Sequence, residues 1–91
     1  MSGGTQEYGL LTFSSTHTAL RAEVLLRDLN VRMMPTLREI SASCGISLRL
    51  PPQAGEEAQA RLTGAGLTGW RLYHVLSEGK KPVCTLISPK E

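Results

Sequence analysis

Twice along this chain, apolar residues spaced two apart give way to apolar residues spaced three and four apart. That change of period dictates a mixed α+β fold, because strands repeat every two residues and helices every 3.6. The clearest period-two run is Ile46-Ser47-Leu48-Arg49-Leu50, fenced by Gly45 before it and Pro51-Pro52 after it. Tyr8 to Ser14 alternates in the same way, with Leu11 and Phe13 on one face and Leu10 and Thr12 on the other. Val31 to Thr36 is a further strand, with Pro35 near its end, where a missing amide costs least. Trp70 to Leu76 is the fourth. Glu78 to Pro82 is a turn, and Val83 to Ile87 adds a short fifth strand.

The helical period appears in two places. Ser14-Ser15-Thr16 supplies N-cap candidates for a helix running to about Leu29, whose residues Ala19, Ala22, Leu25, Leu26 and Leu29 form one stripe. Asn30 is its expected stop, since asparagine tolerates the left-handed backbone that ends helices. A second helix, from about Ala54 to Ala65, aligns Ala54, Ala58, Leu62 and Ala65. Glu56 and Glu57 stand in its first turn, where negative charge is favourable, and Gly64 and Gly66 mark its end. The order β-α-β-β-α-β predicts a ferredoxin-like two-layer sandwich, an antiparallel sheet with two helices on one face and an extra C-terminal strand. The expected division is a flexible tail over 1–7, one domain over 8–76 and an extension over 77–91.

At 91 residues the chain has room for one small core. Hydrophobic residues at 41% and charged residues at 20% exclude a disordered segment. A net charge of +2, without a lysine or arginine cluster, and only four aromatics give no footing for nucleic acid. No apolar run is long enough to span a bilayer and the N-terminus lacks the regions of a signal peptide. The expectation is therefore a cytoplasmic protein with no membrane partner and with Cys44 and Cys84 reduced. Two cysteines and two histidines without finger spacing predict no metal site, and no cofactor motif is present.

Cys44 is the candidate functional residue. A structural cysteine usually sits among apolar neighbours, whereas this one stands in the polar segment Arg38-Glu39-Ile40-Ser41-Ala42-Ser43-Cys44-Gly45. Small polar neighbours and a nearby arginine are the setting in which a thiol is reachable and its thiolate favoured. The expected topology runs the first and second strands in the same direction, so the connections after them, Ser14 to His17 and Arg38 to Gly45, are neighbours. The first helix starts there and aims its unpaired amides at that space. A helix dipole stabilises an exposed anion by roughly 0.3–1 kcal/mol and by about 2 kcal/mol at best. That lowers a thiol pKa by less than about 1.5 units, so Arg38 or His17 must also contribute. Ser14, Thr16, Arg38, Ser41 and Ser43 are candidate donors to an anion on Cys44, and Gly45 leaves room for approach. The alternative is that Ser43-Cys44-Gly45 simply makes a tight turn with the thiol packed beneath it.

Two stretches carry a resemblance. Leu11-Thr12-Phe13-Ser14-Ser15-Thr16-His17 with Ala19-Leu20-Arg21-Ala22-Glu23 is the first, and Pro35-Thr36-Leu37-Arg38-Glu39-Ile40-Ser41 continuing into Ser43-Cys44-Gly45-Ile46-Ser47-Leu48-Arg49 is the second. Together they resemble the putative selenium/sulfur carrier protein-like family, formerly grouped as a domain of unknown function, over about Tyr8 to Tyr73. The resemblance implies that the cysteine matching Cys44 carries sulfane sulfur or selenium as a persulfide or perselenide. The implied partners are a donor such as a cysteine desulfurase and an acceptor enzyme that uses sulfur or selenium. The tail from about Ser77, with Cys84, departs from the short family members.

Two other readings stand beside the carrier. One is a non-catalytic interaction or redox-sensing module, a homodimer among its forms, pairing through an open sheet face that displays Leu10, Thr12, Met34, Ser47 and Arg49. The other is an enzyme with a Cys44–His17 pair, although a histidine in a helix's first turn is more often a solvated or capping residue. His74 is expected on the sheet surface, Trp70 and Tyr73 in the core and sheet. Cys84 is expected to be a buried or edge-strand residue, with a resolving thiol as the alternative. Arg32 and Arg49, on adjacent strands, are expected to form a solvated sheet face.

Overall fold

The computed structural model describes residues 6–36, 45–78 and 82–88. Five strands and two helices follow the order β1 (Gln6–Phe13), α1 (Thr16–Leu25), β2 (Arg32–Pro35), β3 (Ile46–Leu50), α2 (Gly55–Gly64), β4 (Trp70–Ser77) and β5 (Pro82–Ser88). All pairings are antiparallel and the sheet order is β2-β3-β1-β4-β5. Because β1 and β2 each run opposite to β3, they run in the same direction, as the sequence predicts.

The fold is α+β but not the standard ferredoxin-like arrangement expected from the sequence. β5 forms a ladder along β4 from Ser77 opposite Pro82 to Leu72 opposite Ser88, with a register shift between Leu72 and Tyr73. β4 is therefore an interior strand, and the edge it would otherwise present is paired, one of the ways a sheet protects its unpaired amides and carbonyls.

Helix α1 starts as its sequence dictates: the Ser15 hydroxyl accepts a bond from the Thr18 amide at 3.2 Å. It ends earlier than expected. Leu29 falls in a 3-10 turn over Arg27–Leu29, where its amide reaches back three residues to the Leu26 carbonyl at 2.8 Å. Asn30 then takes the left-handed conformation, φ 62°. Helix α2 follows a single 3-10 turn over Pro52–Ala54. Ala58 and Leu62 of its stripe are buried, Ala54 is half-buried and Ala65, beyond the last turn, is exposed.

The core lies between sheet and helices. Leu11, Leu48, Leu50 and Leu72 point from the sheet into Ala22 of α1, Leu26 at its C-cap, and Ala58 and Leu62 of α2. Alanines at the contact let the helices approach closely, while the leucines supply most of the buried apolar area. Arg61 ties the two helices together. It donates to the Leu25 carbonyl at 3.2 Å, to Asp28 at 3.0 Å and to Glu57 at 2.9 Å.

The opposite face of the sheet is also packed. Tyr8, Leu10 and Val75 form a second buried cluster, with Met34, Tyr73 and Cys84 against it. This corrects the expected open face. Leu10 and Ser47 are 0% exposed, Thr12 and Met34 are half-buried, and Arg49 alone of the five is exposed.

Candidate functional site

Three chain segments meet at the end of the sheet where β1 and β2 finish. β1 ends at Phe13, and the Ser14 amide donates to the Gly69 carbonyl at 2.8 Å, tying this corner to the entrance of β4. Gly69 has φ 78°, and a Cβ there would stand 2.5 Å from the Ser14 hydroxyl, so glycine is required by both backbone and space. β3 begins just after Gly45. The Thr36 amide donates to the Gly45 carbonyl at 3.0 Å, and the Thr36 hydroxyl meets the Ser47 hydroxyl at 2.7 Å. That bond satisfies Ser47, the one buried polar side chain among the described residues.

The register defines what flanks Gly45. The β1–β3 ladder ends with Thr12 opposite Ser47, two residues short of Ser14 on one chain segment and of Gly45 on the other. On the other side Pro35 lies opposite Ile46, which puts Thr36 across from Gly45. Gly45 thus stands against Thr36 at the end of β2, at the same end of the sheet as the Ser14 turn. A Cβ on Gly45 would meet the Thr36 hydroxyl at 3.1 Å, tighter than ordinary contact.

Helix α1 opens at this same end. Thr16 and His17 occupy its first turn and both are exposed. The first intrahelical bond runs from the Ala19 amide to the Ser15 carbonyl at 3.1 Å, and the Ser15 side chain takes the Thr18 amide. The amides of Thr16 and His17 are left outside the helix ladder, as at any helix start. The first turn carries no acidic residue, so nothing there opposes an approaching anion.

Of the residues singled out from sequence, Thr16, His17 and Gly45 are thus brought to one end of the sheet, with Ser14 beside them. Cys44, Arg38, Ser41 and Ser43 lie outside the described residues. Sequence reasoning missed Thr36 and Gly69. Thr36 stands in the sequence as a strand end and within the second family-like stretch, with nothing to mark its contacts to Gly45 and Ser47, and the glycine's positive φ has no signature apart from its type.

The remaining candidates fall elsewhere. Cys84 is half-buried on β5 opposite Val75, within the second apolar cluster. His74 accepts or donates a 2.6 Å hydrogen bond with Glu7 across β1 and β4. The indole of Trp70 donates to the Leu67 carbonyl at 2.8 Å and packs against the main core. Among the described residues, no group of three or more His, Cys, Asp or Glu side chains could hold a metal ion, and no helix is long and apolar enough to cross a membrane.

Among curated proteins and solved structures, nothing matches the chain. The family described as putative Se/S carrier protein-like matches residues 8–74. That span runs from β1 into β4 and takes in both helices and the corner around Gly45. By a match over most of its length, the chain belongs to the putative Se/S carrier protein-like family.

Proposed function

We propose that this protein carries sulfane sulfur or selenium on Cys44, in a domain that elaborates the ferredoxin-like plan with a fifth strand. The observation that carries this reading is the placement of Gly45, the next residue in the chain, against Thr36 at the end of the sheet where β1 finishes and α1 begins. A trans peptide separates the Cα atoms of neighbouring residues by only about 3.8 Å. The amides of Thr16 and His17 and the acid-free first turn then favour a thiolate or persulfide anion over the neutral thiol. Arg38, six positions before Cys44, supplies a further cation, and Ser41 and Ser43 further hydroxyl donors.

The reaction is exchange at sulfur. The Cys44 thiolate attacks the outer sulfur of a donor persulfide. A new S–S bond forms on Cys44, the donor's S–S bond breaks, and the donor leaves as its thiolate. With a perselenide donor, an S–Se bond forms and the donor's S–Se bond breaks. The same exchange in reverse sense delivers the atom to an acceptor thiol. Neither direction needs an external oxidant or a general base, only an accessible anion and a clear line of approach. The donor chemistry is that of a cysteine desulfurase, and the acceptor is a sulfur- or selenium-using enzyme, both met in the cytoplasm.

Incubation with a ³⁵S-labelled persulfide donor tests the proposal. Wild-type protein is expected to take up reductant-labile label on Cys44, and Cys44→Ser to take up none. Equal labelling of the two proteins overturns it.

A further inference from the structure

At the other end of the sheet lies a cleft. The β1–β3 ladder stops at Gly9 opposite Leu50, because the next residue of β3's chain is Pro51, which has no amide to donate. β1 continues to Gln6 on its β4 side alone, and the notch so formed opens a cleft of about 350 Å³. Its lining includes Glu7, Tyr8, Asn30, Arg32, Arg49 and Pro51.

The two arginines are the unusual feature. Arg32 lies directly opposite Arg49 across β2 and β3, so their Cβ atoms are only about 4.5–5.5 Å apart on one face. Like charges in that position oppose strand pairing. Among the described residues no carboxylate pairs with either one, although Arg27 and Arg61 both have acidic partners. Glu7, the acidic residue of the cleft, is engaged by His74 at 2.6 Å. Arg49 is also positioned: its guanidinium lies 4.2 Å above the centre of the Tyr8 ring, on a tyrosine that is 7% exposed. A planar cation stacked on a fixed ring gives up less freedom when it binds than a freely rotating one.

We infer that the Arg32–Arg49 cleft binds a dianionic phosphoryl group, either free phosphate or the terminal group of a small phosphate monoester. A phosphoryl group offers three terminal oxygens, enough to engage both guanidinium forks, whereas a single carboxylate is filled by one bidentate fork. The dianion also cancels the repulsion between the paired arginines. The cleft volume lies within the usual range for small-molecule sites.

The cleft lies at the end of the sheet away from Gly45, so binding there does not depend on Cys44. ¹⁵N-labelled protein is titrated at fixed ionic strength with inorganic phosphate, with glycerol 3-phosphate and with acetate. Saturable shifts at Asn30, Arg32 and Arg49 with either phosphate, and no saturation with acetate, are expected. Equal affinity for the two phosphates identifies the free anion as sufficient; tighter binding of the ester identifies the monoester. R32Q and R49Q are each expected to bind about tenfold or more weakly, and R71Q, at the far end of the sheet, as wild type. R32Q changes an exposed side chain outside both buried clusters and is expected to keep the labelling of Cys44, whereas R49Q also removes the stacking on Tyr8 and is read only after its fold is checked. Shifts that never saturate, saturation with acetate equal to that with phosphate, or unchanged binding in R32Q overturn the inference.

Discussion

A single residue, Thr16, separates what the helix start does for the fold from what it does for a neighbouring anion. It occupies the first turn of α1, is exposed, and has no acidic neighbour there. An aspartate in that turn favours the helix but repels an anion held beside it. Thr16→Asp is therefore expected to leave the melting temperature unchanged or raise it, while making the Cys44 thiolate less favoured and so slowing its alkylation near neutral pH. Alkylation rate against pH reads the second effect and thermal melting the first. A Cys44 thiol indifferent to the change has no electrostatic tie to the helix. The other cysteine follows from distance. Cys84 lies opposite Val75, which lies opposite Tyr8, and Ser14 is six residues further along β1, about 20 Å at strand spacing. β5 and β3 are also separated by two intervening strands. Gly45, the residue next to Cys44 in sequence, thus lies far beyond the ~7 Å that a disulfide spans from Cys84. Mild oxidation with diamide, followed by non-reducing peptide mapping, is expected to give no Cys44–Cys84 bridge within one chain. Such a bridge would show that this geometry is wrong.

Between elements, one charged cluster joins the helices. Asp28, in the 3-10 turn after α1, accepts from Arg61 of α2, and that bond holds its carboxyl below the usual range. A carboxylate whose pKa is lowered on folding stabilises the fold above its unfolded pKa and loses that contribution as pH falls through the folded one. Asp28→Asn is thus expected to lower the melting temperature slightly at neutral pH, with the gap to wild type closing toward pH 2. The effect is small because Asp28 is 68% exposed, and high salt reduces it further. A gap that stays constant down to pH 2 assigns the loss to something other than the ion pair. Most elements were legible before any coordinates, because period is a local property. β3 over Ile46–Leu50 and β4 from Trp70 are where alternation puts them. The tertiary contributions were not legible. The early end of α1 depends on a reach-back bond from Leu29. The packed second face depends on the register that gathers Tyr8, Leu10 and Val75, although the adjacent Leu10 and Leu11, both fully buried, are the mark of a strand buried on both faces. At the site, strand direction alone brings the Ser14 turn and Gly45 to one end of the sheet, whereas the contact of Thr36 with Gly45 needs the register of β2 on β3. The Arg32–Arg49 cleft was not legible, because it requires both a register and a notch.

For the whole molecule, the question is what β5 contributes, since the family match ends at residue 74 and the strand lies beyond it. β5 covers the outer edge of β4 along six registered pairs and sets Cys84 against the cluster of Tyr8, Leu10 and Val75. It carries none of Ser14, Thr16, His17, Thr36 and Gly45. A strand so placed stabilises the sheet and protects an edge without shaping the Gly45 corner. A chain ending at Ser77 leaves the β4 edge unpaired and the second cluster less covered. With partial re-exposure of one or two apolar side chains costing about 2 kcal/mol, the melting temperature is expected to fall by about 8–16 °C for a domain of this size. An open edge also promotes edge-to-edge pairing, so the shortened chain is expected to self-associate at concentrations where the full chain does not, measured by sedimentation velocity. Transfer of labelled sulfur to Cys44, assayed below the new melting point, is expected to persist at the full-length rate. Loss of labelling with the fold intact would instead make the fifth strand part of the working site, and would move the search for the acceptor surface from the Gly45 corner to the opposite edge of the sheet.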